Sequence, residues 1–284
     1  MSTQRKPGRP IKQQEDVNLD ITSPSDILTS ITTNDSQIFK SIGKISLLNN
    51  PTSIYFSFSP EHMLIYSKGN TTNNEILLKV PSNNFRLYKY NELSTTILCS
   101  SKIIAKIFNV TKDWELTFIS DSSNNFWLER TNSTTGSSLY LINKIVVFES
   151  IPSDLTQSDI HAEFNIPSLT FKRQILSNVK VNTQIFVVYN SKEIKFITQT
   201  SNIGGKSICK YSAPMYIIKH IIEEQTLKLN ATDVLMIRYL PIKTELCFYL
   251  SKIGDILVRC KIDGSKNVSF KILLNKNEEL SRQH

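Results

Sequence analysis

The side chains in this sequence best placed to do chemistry are cations spaced along short amphipathic segments. Lys40 and Lys44 stand four apart in a segment over 36–48, where Ile38, Ile42 and Ile45 fall on one stripe at about 100° per residue. Lys102 and Lys106 repeat that spacing over 100–109, set against an expected buried stripe of Ile103 and Ile107. Over 168–180, Arg173 and Lys180 lie opposite Phe171 and Ile175, with Lys172 beside them, and over 214–223 Lys219 lies opposite Ile217 and Ile221. Glu223 shares the side of Lys219 and weakens the last pattern. Groups of this kind, permanently charged at neutral pH, neutralise phosphates and release their counterions. A solvated face is the plainer reading of any one such lysine. Recurrence on four helical segments is what argues for a shared polyanionic ligand.

Catalytic and metal-binding patterns are missing. There is no Walker-type loop, HExxH, GxSxG or paired catalytic constellation, and Gly204-Gly205-Lys206-Ser207 lacks the upstream glycine of a phosphate-binding loop. His62, His161, His220 and His284 are scattered. Cys99, Cys209, Cys247 and Cys260 show no CxxC spacing and read as buried free thiols of a reducing compartment. No enzyme activity, cofactor or metal is expected. No run of about 18 apolar residues suggests a membrane span, and the polar, basic start lacks the apolar stretch of a signal peptide, so an intracellular protein without membrane contact is expected. The sequons at Asn70, Asn109, Asn132, Asn230 and Asn267 follow from an Asn-, Ser- and Thr-rich chain.

Over 284 residues the net charge is +8. Residues 1–33 hold four basic groups (Arg5, Lys6, Arg9, Lys12) and four acidic ones (Glu15, Asp16, Asp20, Asp26), which cancel, so the excess belongs to the rest of the chain. A basic body fits a nucleic-acid partner, although charge alone fits an ordinary soluble basic protein equally well.

The elements that must position these cations are mostly strands. Strands are expected at 53–58, 62–67, 75–80, 84–90, 114–119 and 138–148, then at 184–189, 192–198, 206–211, 233–239, 244–250, 255–262 and 268–274, from β-branched and aromatic runs separated by turn pairs. The polar stretch 150–163 (SIPSDLTQSDIHAE) interrupts the series. The resulting division is a flexible tail over 1–33, a first domain over 34–149, a connecting loop over 150–165 and a second domain over 166–284. The fold class is α+β.

The two halves repeat. FKSIGKISLLNNPTSIYFSFSPEHMLIY (39–66) and FKRQILSNVKVNTQIFVVYNSKEIKFI (171–197) each run from Phe-Lys through a helix and a turn into a hairpin. A second helix and hairpin follow in each half, in SSKIIAKIFNVTKDWELTFI and in PMYIIKHIIEEQTLKLNATDVLMIRYL. Identity between the halves is low, so the repeat is structural. Equivalent helices would bring their polar faces to one surface.

On these residues the sequence resembles the proliferating cell nuclear antigen (PCNA) family of DNA sliding clamps. The resemblance is most specific over 141–179, where IPSDLTQSDIHAEF stands in place of that family's interdomain connecting loop and Asn165–Arg173 matches the start of its second domain. It continues through SKEIKFITQTSNIGGKSICKY (191–211) and LCFYLSKIGDILVRCKI (246–262), and more loosely through YNELSTTILCSSKIIAKIF (90–108), covering about residues 34–275. The resemblance implies two domains per chain, each with antiparallel sheets outside and two helices inside, closing head to tail into a pseudo-six-fold ring, usually a homotrimer, around double-stranded DNA. It implies no catalysis and no cofactor. DNA would be met by Lys40, Lys44, Lys102, Lys106, Lys172, Arg173, Lys180 and Lys219. The ring would form where 138–148 of one subunit extends the sheet of the next at 205–212, through Leu139, Leu141, Ile145 and Ile208. DNA polymerase and other replication and repair proteins would dock short hydrophobic motifs on a groove lined by Ile151 and Leu155 of the loop, with Ile65 and Leu77. Where cellular clamps carry a proline and a tyrosine in that groove, this chain has Lys243 and Arg259, so partner motifs need not carry over.

The leader RKPGRPIK (Arg5–Lys12) resembles an AT-hook: Arg9 in a narrow A·T minor groove, Pro7 and Pro10 keeping the chain extended, Lys6 and Lys12 on phosphates. A plain basic tail or nuclear-targeting segment is the equal alternative. A clamp with such a leader resembles the PCNA-like proteins of large cytoplasmic DNA viruses, the asfarvirus type in particular. That implies work at DNA replication sites, in cytoplasmic factories or the nucleus of a host cell. The competing functions are a clamp-fold viral late transcription factor and a monomeric AT-hook DNA-binding scaffold.

Overall fold

Alternating burial shows why the strands form where they do. In β2 (Ser53–Phe58) Ile54, Phe56 and Phe58 face inward while the residues between them face out, and β12 (Thr183–Tyr189) buries Ile185, Val187 and Tyr189 in the same way. The computed structural model describes residues 27–33, 36–70, 74–91, 95–109, 114–122, 125–143, 145–146, 151–155, 160–180, 183–200, 205–212, 224–240, 245–251, 254–261 and 268–274.

The first half runs β1 (Ile27–Thr33), α1 (Ser36–Asn49), β2, β3 (His62–Lys68), β4 (Glu75–Pro81), β5 (Leu87–Tyr90), β6 (Thr95–Ser100), α2 (Ser101–Ile107), β7 (Glu115–Asp121), β8 (Asn125–Asn132) and β9 (Gly136–Asn143), then a two-residue β10 (Ile145–Val146). The second runs β11 (Ile160–Pro167), α3 (Ser168–Gln174), β12, β13 (Glu193–Thr200), β14 (Lys206–Ser212), β15 (Gln225–Leu229), α4 (Ala231–Met236), β16 (Glu245–Ser251), β17 (Ile256–Lys261) and β18 (Ser269–Leu274). Both halves thus run strand, helix, a group of strands, helix, three strands, the middle group being five strands (β2–β6) in the first half and four (β12–β15) in the second. The α+β class read from the sequence is that observed, and the halves repeat in element order with α4 as the second described helix of the second half.

Three antiparallel sheets result. Five strands are ordered β5-β1-β7-β8-β9, nine β10-β6-β2-β3-β4-β18-β17-β16-β11, and four β14-β13-β12-β15. The nine-stranded sheet is shared. The last strand of the second half, β18, pairs with β4 of the first, setting Ile272 opposite Ile76 and Phe270 opposite Leu78. Each half has its own aromatic centre. Phe39, Phe56, Phe108 and Phe118 meet at centroid distances of 5.4–6.4 Å, and Phe164 stacks on Phe248 at 4.8 Å beside Phe171 and Phe196.

Several expected boundaries change. Residues 27–33, read as tail, are β1 and fill the five-stranded sheet between β5 and β7, burying Thr29, Ile31, Thr32 and Thr33. Residues 160–165, read as connecting loop, already belong to β11, paired with β16. Residues 233–239, read as a strand, form α4 and a following 3-10 turn at Ile237–Tyr239. The single strand expected over 138–148 is two strands in two sheets, so Ile145 sits on β10 opposite Leu98 and not on the β9 edge. The helix expected at 214–223 lies outside the described residues.

Candidate nucleic-acid interface

Among the described residues the α-helices are linked in the order α2, α1, α4, α3, the last step through the turn that follows α4. Gly43 permits the first contact: a Cβ there would come within 3.0 Å of Phe108 Cβ, so only glycine lets α1 and α2 approach this closely. The α1–α4 contact crosses between halves. Asn49 Nδ2 donates to Asn74 O at 3.2 Å, and Asn74 Nδ2 donates to Asp233 Oδ1 at 2.8 Å, both buried. Burial raises the pKa of Asp233, against the lowering effect of hydrogen bonds from Asn74 and Asn230. The row closes where Lys172 Nζ donates to Leu240 O and Arg238 donates to Leu176 O at 3.0 Å.

Close packing of α1 on α2 brings Lys40, Lys44, Lys102 and Lys106 around one open cavity of about 410 Å³. Its floor is apolar, made by Gly43, Ala105 and Phe108, and Leu47 flanks it with 63% of its surface exposed. None of the four lysines forms an ion pair with a described residue. Lys44 Nζ lies 5.3 Å from the centre of the Tyr239 ring, on the α4 side. Such a cluster suits an anion with several negative groups.

The other expected cations fare differently. Arg173 and Lys180 are exposed. Lys172 is half-buried, its ammonium held on Leu240 O and its pKa lowered by desolvation, so it is a packing residue rather than a phosphate contact. Lys219 and the tail residues Arg5, Lys6, Arg9 and Lys12 lie outside the described residues. Arg238, exposed beside the α3–α4 contact, was missed because its segment read as a strand. The α2 stripe is also shifted by one: Ile104, Ala105 and Ile107 are buried, while Ile103 is 45% exposed.

On the opposite face of the nine-stranded sheet, Leu64, Leu77, Leu155 and Leu257 form a separate apolar cluster with Tyr66, Ile151, Tyr249 and Leu273 packed on it. Leu77, Leu155 and Ile151, three of the expected groove residues, come together in this cluster. Ile65 does not: it is 1% exposed in the main core, because alternation along β3 turns Leu64 and Tyr66 outward instead. Lys271, 7% exposed, anchors residues 154–155 by an ion pair to Asp154 and a 3.1 Å bond to Leu155 O. Arg259 shares that outer side near Tyr249, and Lys243 lies outside the described residues.

Among the described residues six strands end a sheet: β5, β9, β10, β11, β14 and β15. Four of them carry exposed large apolar side chains: Leu87 on β5, Leu139 at 38% and Leu141 at 51% on β9, Ile145 and Val146 on β10, and Ile208 at 47% on β14. All four cysteines are free, and burial pushes the Cys99 thiol up to about 12. No group of three or more His, Cys, Asp or Glu with metal-holding geometry occurs among the described residues, and no described helix is long and apolar enough to cross a membrane.

Compared with solved structures, the chain superposes on PCNA from Thermococcus kodakaraensis with a TM-score of 0.69, over 88% of this chain and 100% of that one, at 11% identity. The chain has the PCNA clamp fold. A second match, the PCNA2–PCNA3 complex of Sulfolobus tokodaii, gives a TM-score of 0.69 at 12% identity, covering 86% of this chain and 98% of the other. No family model and no curated protein sequence matches. What is shared with these clamps is therefore the course of the backbone, while nearly nine residues in ten differ.

Proposed function

We propose that this chain is a DNA sliding clamp, a non-enzymatic ring that encircles duplex DNA and holds replication and repair proteins on it. One observation carries the reading: the chain already makes, between its own halves, the contact a ring would repeat. β18 closes the second half and pairs with β4, the third strand after β11's counterpart, β1, in the first. By the internal repeat, β9 is the counterpart of β18 and β14 of β4, and both end their sheets, with Leu139, Leu141 and Ile208 exposed on them. Joining β9 of one copy to β14 of the next continues the pattern head to tail, and a homotrimer gives six such junctions. Each subunit would present its helix row, with Lys40, Lys44, Lys102 and Lys106, to the enclosed DNA. The outer cluster under Leu155 would receive short hydrophobic motifs of a polymerase or other partner. The RKPGRPIK leader supports reading the chain as the type carried by large DNA viruses, acting at their replication sites.

The test is topological. A closed ring loaded on nicked circular DNA stays bound through gel filtration in high salt and is lost once the circle is linearised. Equal loss from circular and linear DNA, with a molar mass of 32.4 kDa by light scattering, would instead support the monomeric scaffold.

A further inference from the structure

The outer face of the nine-stranded sheet sets cations beside its apolar cluster, and a purely hydrophobic motif would leave them unused. Alternation along the strands sends Leu257 and Arg259 of β17, and Lys271 and Leu273 of β18, to that face, while Ile256, Val258 and Ile272 enter the main core. In register, Arg259 lies opposite Lys271 and Leu257 opposite Leu273. The two strands therefore carry the same pair, a cation and a leucine two residues apart, displaced by one strand spacing of about 4.8 Å. On β18 the chain itself answers that pair. Asp154 forms an ion pair with Lys271, and Leu155, next in sequence, is buried in the cluster. On β17 Arg259 has no counterpart of Asp154. It lies near Tyr249, forms no ion pair with a described residue, and its buried Nε has no hydrogen-bond partner among them. Glu75 is held by Lys68 at 3.8 Å, and Glu163, opposite Tyr249 on β11, stands two strands away from β17.

We propose that a partner protein docks a short segment containing an acidic residue next to an aliphatic one, laid alongside residues 151–155. Its carboxylate meets the Arg259 guanidinium, and its aliphatic side chain lies on Leu257, Leu273 and Tyr249. The proposal rests on the reading of the outer cluster as the docking surface and names what that surface selects. The warrant is repetition: Asp154 and Leu155 already show an acid and its aliphatic neighbour seated on a cation and a leucine of this face. Arginine suits the task, because its planar fork takes a carboxylate through two parallel hydrogen bonds. Glu163 repels a second acid from the β11 side, so the segment is held over β17 and β18.

Random peptides of about twelve residues, displayed on phage and selected on the full-length protein, supply the probes. Sequences with Asp or Glu followed by Leu, Ile or Val should be enriched, and synthetic copies should be measured by fluorescence anisotropy. Arg259→Gln should weaken such a peptide about tenfold. Replacing the peptide's acid by its amide should cost the wild-type protein the same factor, with no further loss when both changes are combined. Arg259→Lys, which keeps the charge, should restore part of the affinity. A variant with Lys40, Lys44, Lys102 and Lys106 changed to alanine should bind as the wild type does. Equal affinity for acid and amide peptides overturns the proposal, as does loss of binding in the fourfold lysine variant with Arg259→Gln unaffected. Acid-independent peptides that lose binding with Leu273→Ser would leave the docking surface standing and remove only its acidic preference. Peptides indifferent to both Arg259→Gln and Leu273→Ser, or no enrichment at all, would remove the docking surface itself.

Discussion

Lys40, Lys44, Lys102 and Lys106 each contribute little alone, because exposed or half-exposed ammonium groups are screened within about 10 Å at ordinary salt. Their value to a polyanion comes from number, since each phosphate neutralised adds to the salt dependence of binding. Changing all four to alanine should weaken duplex association and flatten the plot of log affinity against log salt. The denaturation midpoint should move little, because surface helix positions of this kind are worth tenths of a kcal/mol. A wild-type salt slope in that variant would remove the cavity from the DNA interface. Asp233 makes a different prediction. Burial raises its pKa, so between the ordinary carboxylate range and the raised value the folded chain holds a proton that the unfolded chain has released. Stability therefore falls as pH rises across that window and stays lower above it. Asp233→Asn still accepts from Asn74 but cannot ionise. Urea midpoints measured from about pH 4 to pH 7 should lose this descending component in the variant. An unchanged pH profile would mean that the carboxylate is not held in its neutral form. Of these residues, the lysine pairs were legible in the sequence because their i,i+4 spacing is local. Asp233 was not, because its partner Asn74 lies 159 positions away.

At the level of elements, α1 was readable because Ile38, Ile42 and Ile45 hold one stripe for the length of the helix. The shorter helices gave no such stripe. In α2, seven residues long, the buried set is Ile104, Ala105 and Ile107, and a one-residue error was enough to turn Ile103 inward. Asp-Val-Leu-Met-Ile-Arg-Tyr over 233–239 has the composition of a strand. It is helical because tertiary packing against α1 outweighs the β-propensity of its side chains. β1 was passed over because Ile27–Thr33 reads ILTSITT, short and polar, and only its pairing on both sides with β5 and β7 makes it a central strand. Long-range pairing of that kind leaves no local signature. The α1–α2 contact can be tested directly. Gly43→Leu drives a side chain into Phe108, and overpacking should cost about 1–3 kcal/mol, seen as a lower urea midpoint. It should also weaken DNA binding without any change in charge, by parting Lys40 and Lys44 from Lys102 and Lys106. Gly43→Ala, the smaller intrusion, should show both effects in reduced form. Full stability in the leucine variant would mean that α1 and α2 are not held this closely.

For the whole molecule, the decisive question is whether β9 meets β14 or meets itself. A contact between unlike edges can continue into a ring, whereas β9 on β9 closes as a dimer and stops. Leu141 and Ile208 separate these cases because each is about half exposed and lies on a different edge, so a charge at either position spares the core. Leu141→Glu blocks β9 and leaves β14 usable, and Ile208→Glu does the reverse. If the edges are unlike partners, each variant alone is a monomer of 32.4 kDa. Mixed in equal amounts, the two variants retain one working β9 and one working β14 between them. They should therefore form a one-to-one heterodimer with twice the monomer mass and no larger species, because the edges left over are both charged. Self-pairing of β9 predicts something else: Ile208→Glu alone would keep the wild-type mass, and mixing would produce no heterodimer. Light scattering on three samples distinguishes these outcomes. The heterodimer would establish that the junction already present between β4 and β18 is the one the molecule repeats between copies.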